Sequence, residues 1–183
     1  MSTALSTPVL PSLSTTTLTA KFGAISVVAL ALDLLTKQWA TGALDQGAIV
    51  LSSWFSFMLV FNTGAAGGIS LGPYTWLINV VGTALTIALV ASVVVPLARV
   101  DRRALLGMGL IAGGAAGNLA SLMLEPRGVP DFLGMQIPGA VVVFNLADVA
   151  LWGGALVLTP IVASLVRAVR AERRQAALGQ AAA

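Results

Sequence analysis

Four long apolar stretches separate polar or mixed segments along the chain. They run from Phe22 to about Trp39, from Thr75 to Leu97, from Ala104 to Leu124, and from Asn145 to about Val166. A helix rises about 1.5 Å per residue, so about 20 residues cross the roughly 30 Å hydrocarbon core of a bilayer. The last three stretches have that length, and the first has it if its polar end lies at the interface. The pattern predicts an all-α membrane protein with four transmembrane helices.

The segment between the first two spans, residues 42–74, has a different pattern. Its sequence "GAIVLSSWFSFMLVFNTGAAGG" is rich in β-branched and aromatic residues and ends in a Gly/Ala-rich turn, which is typical of strands and hairpins. We expect a small extracytoplasmic β-structured segment on the membrane surface, with Trp54, Phe55, Phe57 and Phe61 at headgroup level. The connection between the last two spans is expected to be a short loop.

The two chain ends are predicted to be tails. Residues 1–20 are rich in Ser and Thr and carry no charged side chain. They lack the basic start and unbroken apolar core of a secretory signal, so we expect a flexible cytoplasmic N-terminal tail. The transmembrane domain is then residues 21–170, and residues 171–183 form a cytoplasmic C-terminal tail.

Composition supports a bilayer rather than water as the surroundings. The 183 residues are 57% hydrophobic and 9% charged, against about 25% charged in soluble domains. This disfavours a soluble helical bundle. Eight of the ten basic residues fall on one side of the predicted spans, leaving Lys37 and Arg127 on the other. By the positive-inside rule both termini are cytoplasmic, and the basic charge needs no nucleic acid partner. The eight are Lys21, Arg99, Arg102, Arg103, Arg167, Arg170, Arg173 and Arg174.

The absent residue types exclude several kinds of chemistry. The chain has no Cys and no His, which excludes disulfides, a thiolate nucleophile, a Ser-His triad and a His-ligated zinc site. We therefore expect no metal and no cofactor. Any acid–base chemistry must depend on Asp and Glu, helped by Lys, Tyr74 and water.

Two aspartates flank the last outer segment. Asp148 lies about one turn inside the fourth span, where an unpaired ionised carboxylate must pair, face water or take up a proton. Asn145 and Asp148 could simply cap the start of that helix, and the residues alone leave this open. A short loop can bring Asp131 next to Asp148. Two such carboxylates would share one proton: the charged member takes a proton from water while the neutral member donates to a substrate carbonyl.

Polar and small residues on the first and third spans have structural interpretations. Asp33 and Lys37 are four positions apart, in the favourable order for a helical ion pair, and we favour a structural role for them. Glycines at positions 109, 113 and 117 clear one face of the third span, which permits close approach of another helix. Asn118 then lies at the outer end of a tightly packed helix.

Five motifs, in order, resemble those of the lipoprotein signal peptidases, also called signal peptidase II. They are "DLLTKQW" from Asp33, "FNTGAAGG" from Phe61, "GGAAGN" from Gly113, "VPDF" from Val129 and "FNLAD" from Phe144. Each motif is weak singly, but their order and their side of the membrane make the set specific. The resemblance covers about residues 22–166.

The resemblance implies an intramembrane aspartic endopeptidase. Such enzymes cut bacterial prolipoproteins just before a diacylglyceryl-modified cysteine, near the outer face of the cytoplasmic (inner) membrane. It implies that membrane lipid surrounds the protein, which we expect to be a monomer, and that residues 42–74 form a surface β-cradle and a loop over the substrate. By motif, the catalytic pair is Asp131 and Asp148, and further site residues are Asn62, Asn118, Asn145, Asp33 and Lys37.

The chain departs from the family pattern at one place. Ser121 and Leu122 occupy the positions where the family usually has Asp-Arg. We hypothesise that Arg127, with or without Glu125, replaces the missing arginine. Two other functions stay open: a catalytically impaired homologue that binds lipidated precursors, which retention of both aspartates disfavours, and a small proton-coupled transporter. Transport would call for ionisable residues near mid-membrane, and the centres of the last three spans carry none.

Overall fold

The computed structural model describes residues 13–63 and 72–181. Within these ranges four helices are long and apolar enough to cross a membrane, and a small antiparallel sheet joins them at one end, which we call the sheet end. The predicted all-α membrane architecture is confirmed. The elements are α1 (Thr15–Ala43), β1 (Ile49–Val50), β2 (Phe55–Asn62), α2 (Thr75–Val100), α3 (Arg103–Leu124), β3 (Val129–Ile137), β4 (Ala140–Phe144) and α4 (Leu146–Ala181).

The outermost helices extend further than hydrophobicity predicts. Helix α1 begins at Thr15 because the Ser14 hydroxyl oxygen accepts a hydrogen bond from the Thr17 backbone N–H at 3.1 Å, an N-cap. Helix α4 continues to Ala181 through Ala, Arg, Glu and Gln, which are strong helix formers. Residues 15–20 and 171–181, predicted to be tails, are therefore helical. Residues 1–12 of the predicted N-terminal tail lie outside the described residues.

The sheet draws on both outer segments. Its strand order is β1-β2-β3-β4 with antiparallel neighbours. Strands β1 and β2 confirm the predicted β-structure within residues 42–74. The segment predicted to be a loop instead forms the β3–β4 hairpin, so that prediction was wrong. Pro138 and Gly139, with Gly139 at φ 80°, make the two-residue turn between Ile137 and Ala140, as Pro-Gly does in a type II turn.

Helix α3 is the centre of the bundle and packs against the other three helices. Its glycine face lies directly on α1, as predicted. A Cβ atom added at Gly113 would come within 2.6 Å of the Ala29 Cβ, and one at Gly109 within 2.6 Å of the Ile25 Cγ2. The hydrophobic effect does not drive helices together in lipid, so van der Waals contact between closely packed backbones supplies much of the association energy.

We expect Gly113→Ala to destabilise the bundle, because the added methyl group must push α1 and α3 apart. Overpacking of this kind costs about 1–3 kcal/mol. The measurement is the thermal unfolding midpoint in detergent. Gly23→Ala on α1 is the matched control, since a Cβ there meets nothing within 4 Å. Equal midpoints for the two variants would contradict the tight α1–α3 contact.

Candidate active site

A cavity of about 290 Å³ lies where the sheet meets α2, α3 and α4. Most of its polar lining comes from residues close to the sheet end of these helices. The described residues that line it are Asn62, Ile78, Asn79, Gly82, Thr83, Thr86, Ala115, Asn118, Leu122, Val129, Asp131, Asn145, Asp148 and Leu151. Both predicted catalytic aspartates and all three predicted asparagines therefore line one cavity.

Asp131 enters the cavity from β3 and is almost fully buried, with 4% of its surface exposed. Burial raises the pKa of its carboxyl group to about 6, and the nearby Asp148 carboxylate raises it as well. Hydrogen bonds from the side chains of Asn145 and Asn62, together with the charge of Lys37, lower the pKa and offset part of that rise. Asp131 therefore retains its proton to a pH at which an exposed aspartate would be ionised.

A β-bulge turns Asn62 toward Asp131. The pairs between β2 and β3 shift by one residue between Phe57 and Val60, so that Asp131 lies opposite Val60 and Val129 lies opposite Asn62. Without the extra residue, Phe61 would take the place of Asn62, because successive strand residues face opposite sides. Bulges commonly re-aim a side chain beside an active site.

Asp148 lies in the first turn of α4 and forms a reciprocal cap with Asn145. The Asn145 backbone N–H donates to Asp148 Oδ2 at 3.2 Å, and the Asp148 backbone N–H donates to Asn145 Oδ1 at 3.0 Å. Asn118 Nδ2 also donates to Asp148 Oδ1 at 3.0 Å. The capping interpretation left open by the sequence is therefore correct, and the same geometry presents Asp148 to the cavity.

The Asn145 side chain links the two aspartates. Its Nδ2 donates to Asp131 Oδ1 at 2.6 Å and also lies 3.2 Å from Asn118 Oδ1, while its oxygen and backbone N–H engage Asp148. Asn145 is 1% exposed. Because the buried Asn145 side chain is hydrogen-bonded to both aspartates, it strongly constrains the relative position of their carboxyl groups.

A buried ion pair on α1 also forms hydrogen bonds to α3 and α4. Lys37 Nζ donates to Asp33 Oδ2 at 2.7 Å and to Asn118 Oδ1 at 2.8 Å. The other Asp33 oxygen accepts the backbone N–H of Ala147 at 2.8 Å, so a carboxylate on α1 caps the start of α4. The predicted helical ion pair is confirmed. Its link to α4 was not predicted.

Arg127 does not join this network. Its guanidinium pairs with Glu125 at 2.8 Å and lies 4.0 Å from the centre of the Phe61 ring. Phe61 and Asn62 are adjacent on β2 and so face opposite sides of the sheet, which places Arg127 away from the cavity. Arg127 is not among the described residues that line the cavity, and its replacement of the family arginine stays a hypothesis.

The family's Asp-Arg positions carry neutral groups here. The Ser121 hydroxyl donates to the Gly117 carbonyl at 3.0 Å. Leu122 lines the cavity, and its carbonyl accepts the indole N–H of Trp76 at 3.0 Å. Among the described lining residues the charged types are the two aspartates, and no three acidic groups in the described chain gather as metal ligands.

Sequence reasoning missed the contribution of α2. Asn79, Thr83 and Thr86 all line the cavity, although the sequence pattern predicts only an apolar span there. Their spacing of four and then three residues is the signal that could have found them, because it places all three on one helix face.

The arrangement suits hydrolysis of a carbonyl compound. One buried carboxyl group that retains its proton and a second carboxylate that accepts hydrogen bonds line the same cavity. Together they can protonate a carbonyl oxygen and take a proton from water.

Comparison with known proteins gives consistent results. The family model described as signal peptidase (SPase) II matches residues 25–164. The lipoprotein signal peptidase of Mycobacterium tuberculosis is 35% identical over 146 residues, covering 73% of this chain and 66% of that protein. The lipoprotein signal peptidase of Rhodopseudomonas palustris is 34% identical over 146 residues, covering 73% of this chain and 85% of that protein.

Solved structures share the fold. A bacterial membrane enzyme determined by the in meso method at 2.3 Å resolution superposes with a TM-score of 0.68 and 23% identity, covering 80% of this chain and 88% of the other. With the family model matching most of the chain, these relationships settle membership. The chain belongs to the signal peptidase II family.

Proposed function

We propose that the protein is an intramembrane aspartic endopeptidase that removes signal peptides from diacylglyceryl-modified prolipoproteins. The observation that supports this most strongly is the Asn145 side chain, which engages both Asp131 and Asp148 inside one cavity. The relatives are named lipoprotein signal peptidases. The cavity of this protein provides a pair of carboxyl groups suited to peptide-bond hydrolysis.

In the proposed reaction Asp131 is the acid and Asp148 the base. Asp148 takes a proton from a water molecule, whose oxygen attacks the scissile carbonyl carbon, while Asp131 donates its proton to the carbonyl oxygen. When the tetrahedral intermediate collapses, the C–N bond breaks, the leaving nitrogen takes the proton held by Asp148, and the hydroxyl proton returns to Asp131. The signal peptide leaves with a new carboxyl group, and both aspartates return to their starting states.

The surroundings of the two carboxyl groups support these roles. Asn145 Nδ2 donates to Asp131 Oδ1, and burial of the Asp131 carboxyl group favours its protonated form by raising its pKa. Asp148 is only half-buried, and hydrogen bonds from Asn118 and from the Asn145 backbone hold its carboxyl group at the cavity. Lys37 donates to Asn118, which in turn donates to Asp148, and the positive charge of Lys37 stabilises the single negative charge of the pair.

The orientation follows from the basic residues. With the predicted positive side in the cytoplasm of a bacterium, the sheet end and its cavity lie at the outer face of the cytoplasmic membrane. A prolipoprotein whose signal peptide spans the bilayer would then present its cleavage site at the depth of the aspartates. We expect the protein to act as a monomer surrounded by lipid.

One observation favours a catalytically impaired homologue as the second candidate. Leu122 lines the cavity where the family usually has an arginine, so one positive charge is missing. Such a homologue would bind lipidated precursors without cutting them.

Either Asp131→Asn or Asp148→Asn should lower cleavage of a diacylglyceryl-modified prolipoprotein by at least about 10³-fold, because each removes one proton carrier. The assay is release of signal peptide by purified protein in detergent, with and without globomycin, the inhibitor that the resemblance suggests. Asp45→Asn, which changes an exposed aspartate, is the matched control and should cleave normally. If either active-site variant cuts at the wild-type rate, the aspartic mechanism is wrong.

The pH dependence of kcat/KM should reveal the ionisation of Asp131. As pH rises through about 6, Asp131 in the free enzyme loses its proton, so kcat/KM should fall about tenfold per pH unit above that point. Asn145→Ala removes a hydrogen bond that lowers the pKa of Asp131, so its falling limb should move to higher pH. A profile of kcat/KM that stays flat from pH 5 to 8 would contradict the assignment of Asp131.

A further inference from the structure

Three polar residues on α2 extend the cavity away from the aspartates. Asn79, Thr83 and Thr86 line it together, and we call them the α2 polar stripe. Helix α2 begins at Thr75, so Thr83 lies eight residues, or about 12 Å, along the helix from the sheet end. At that depth a bilayer offers no water, and polar side chains there usually mark a pathway or a binding surface.

The cavity also has a way in from the membrane. Helices α2 and α4 each pack on α3, and the described residues form no substantial interface between α2 and α4. Leu151 of α4 and Ala115 of α3 line the cavity opposite the stripe. A ligand that moves within the bilayer can therefore reach the aspartates between α2 and α4.

Thr83 differs from Thr36, Thr86 and Thr159, three other threonines on the membrane-spanning helices. The hydroxyl of Thr86 donates to the Gly82 carbonyl at 2.8 Å, and those of Thr36 and Thr159 donate to carbonyls one turn back at the same distance. This is how a threonine hydroxyl is normally satisfied in a membrane helix. The Thr83 hydroxyl makes no hydrogen bond to any residue in the described part of the chain, so it has a donor to offer the cavity.

Gly82 keeps space open beside Thr83. It lines the cavity, and a Cβ atom added there would meet nothing within 4 Å. The stripe therefore combines a hydrogen-bond donor with room for a backbone to approach.

We propose that the α2 polar stripe binds the end of the signal-peptide helix just before the cleavage site, with the Thr83 hydroxyl donating to a backbone carbonyl. This inference rests on the proposed function. A helix leaves its last four carbonyls without partners, and the peptide must unwind there to present its scissile bond. In hydrocarbon those carbonyls need donors from the enzyme. An acyl chain lining the same wall would need none.

The decisive comparison is Thr83→Val against Thr159→Val. Both changes are nearly isosteric, but Thr159 on α4 is not among the described residues that line the cavity, and its hydroxyl donates to the Ala155 carbonyl. In lipid nanodiscs, Thr83→Val should raise KM about three- to tenfold with kcat unchanged, as loss of one intramembrane hydrogen bond implies. Thr159→Val should match the wild type. Equal KM values for the two variants would overturn the proposal.

Affinity for uncut substrate separates this inference from the peptidase reaction. Binding of a fluorescent lipopeptide that contains the signal segment is measured in an Asp148→Asn background, so that no cleavage is needed. Thr83→Val should weaken binding about three- to tenfold there too. If the wild type binds but does not cut, the proposed reaction fails while the stripe is still supported. If Thr83→Val leaves the affinity unchanged, or the lipopeptide does not bind, the stripe proposal is overturned.

Two further arms test the occupant. The ester carbonyls of the diacylglyceryl group share the acceptor chemistry of a peptide, so the comparison is repeated with an ether-linked dialkylglyceryl lipopeptide. The Thr83→Val effect should persist, and its disappearance would assign the hydroxyl to the lipid ester instead.

Gly82→Leu should block binding, whereas Gly23→Leu, where space is also open, should not. Normal binding by Gly82→Leu would contradict occupancy of this wall.

Discussion

The structure depends on one constraint: inside a bilayer, every buried polar group must find its partner within the protein. Asp33 has no exposed surface, and it meets this constraint by contacting Lys37 on its own helix and the start of α4. Lys37 also donates a hydrogen bond to Asn118 on α3. Removing either charge would leave the other buried and unpaired, a strongly destabilising change. The ion pair thus fixes three helices and, through them, the positions of both aspartates.

Close packing of α1 against α3 makes this hydrogen-bond network possible. Glycines let α1 and α3 approach so closely that a Cβ at Gly117 would meet the Asp33 carboxylate. That closeness brings the ion pair of α1 to Asn118, and Asn118 to Asp148. Packing and electrostatics are therefore coupled, because the glycine face of α3 lets the hydrogen-bond network pass from α1 to α3.

Much of this arrangement could be predicted from the sequence, and the exceptions have physical causes. Span lengths are sufficient to predict the four helices. The spacing of Asp131 and Asp148 only permits them to meet, and it is the family resemblance that predicts one site holding both. The ends of α1 and α4 were missed because caps and helix propensity extend helices past their apolar part. Pro138-Gly139 predicts a loop from sequence, but because these residues form a tight turn the flanking segments pair as the β3–β4 hairpin. Arg127 is near Asp131 in sequence, yet its guanidinium lies over Phe61, whose side chain faces away from Asn62, and local spacing cannot show this.

The proposed mechanism requires that Asp131 holds the proton of the pair in the free enzyme. Infrared difference spectroscopy of the protein in nanodiscs, titrated from pH 4 to pH 9, detects that proton through the C=O band of protonated carboxyl groups. We expect a band that disappears with a midpoint near pH 6 and is absent from Asp131→Asn. A wild-type spectrum in which no carboxyl band titrates above the ordinary aspartate range, about pH 4, would show that Asp131 does not hold this proton.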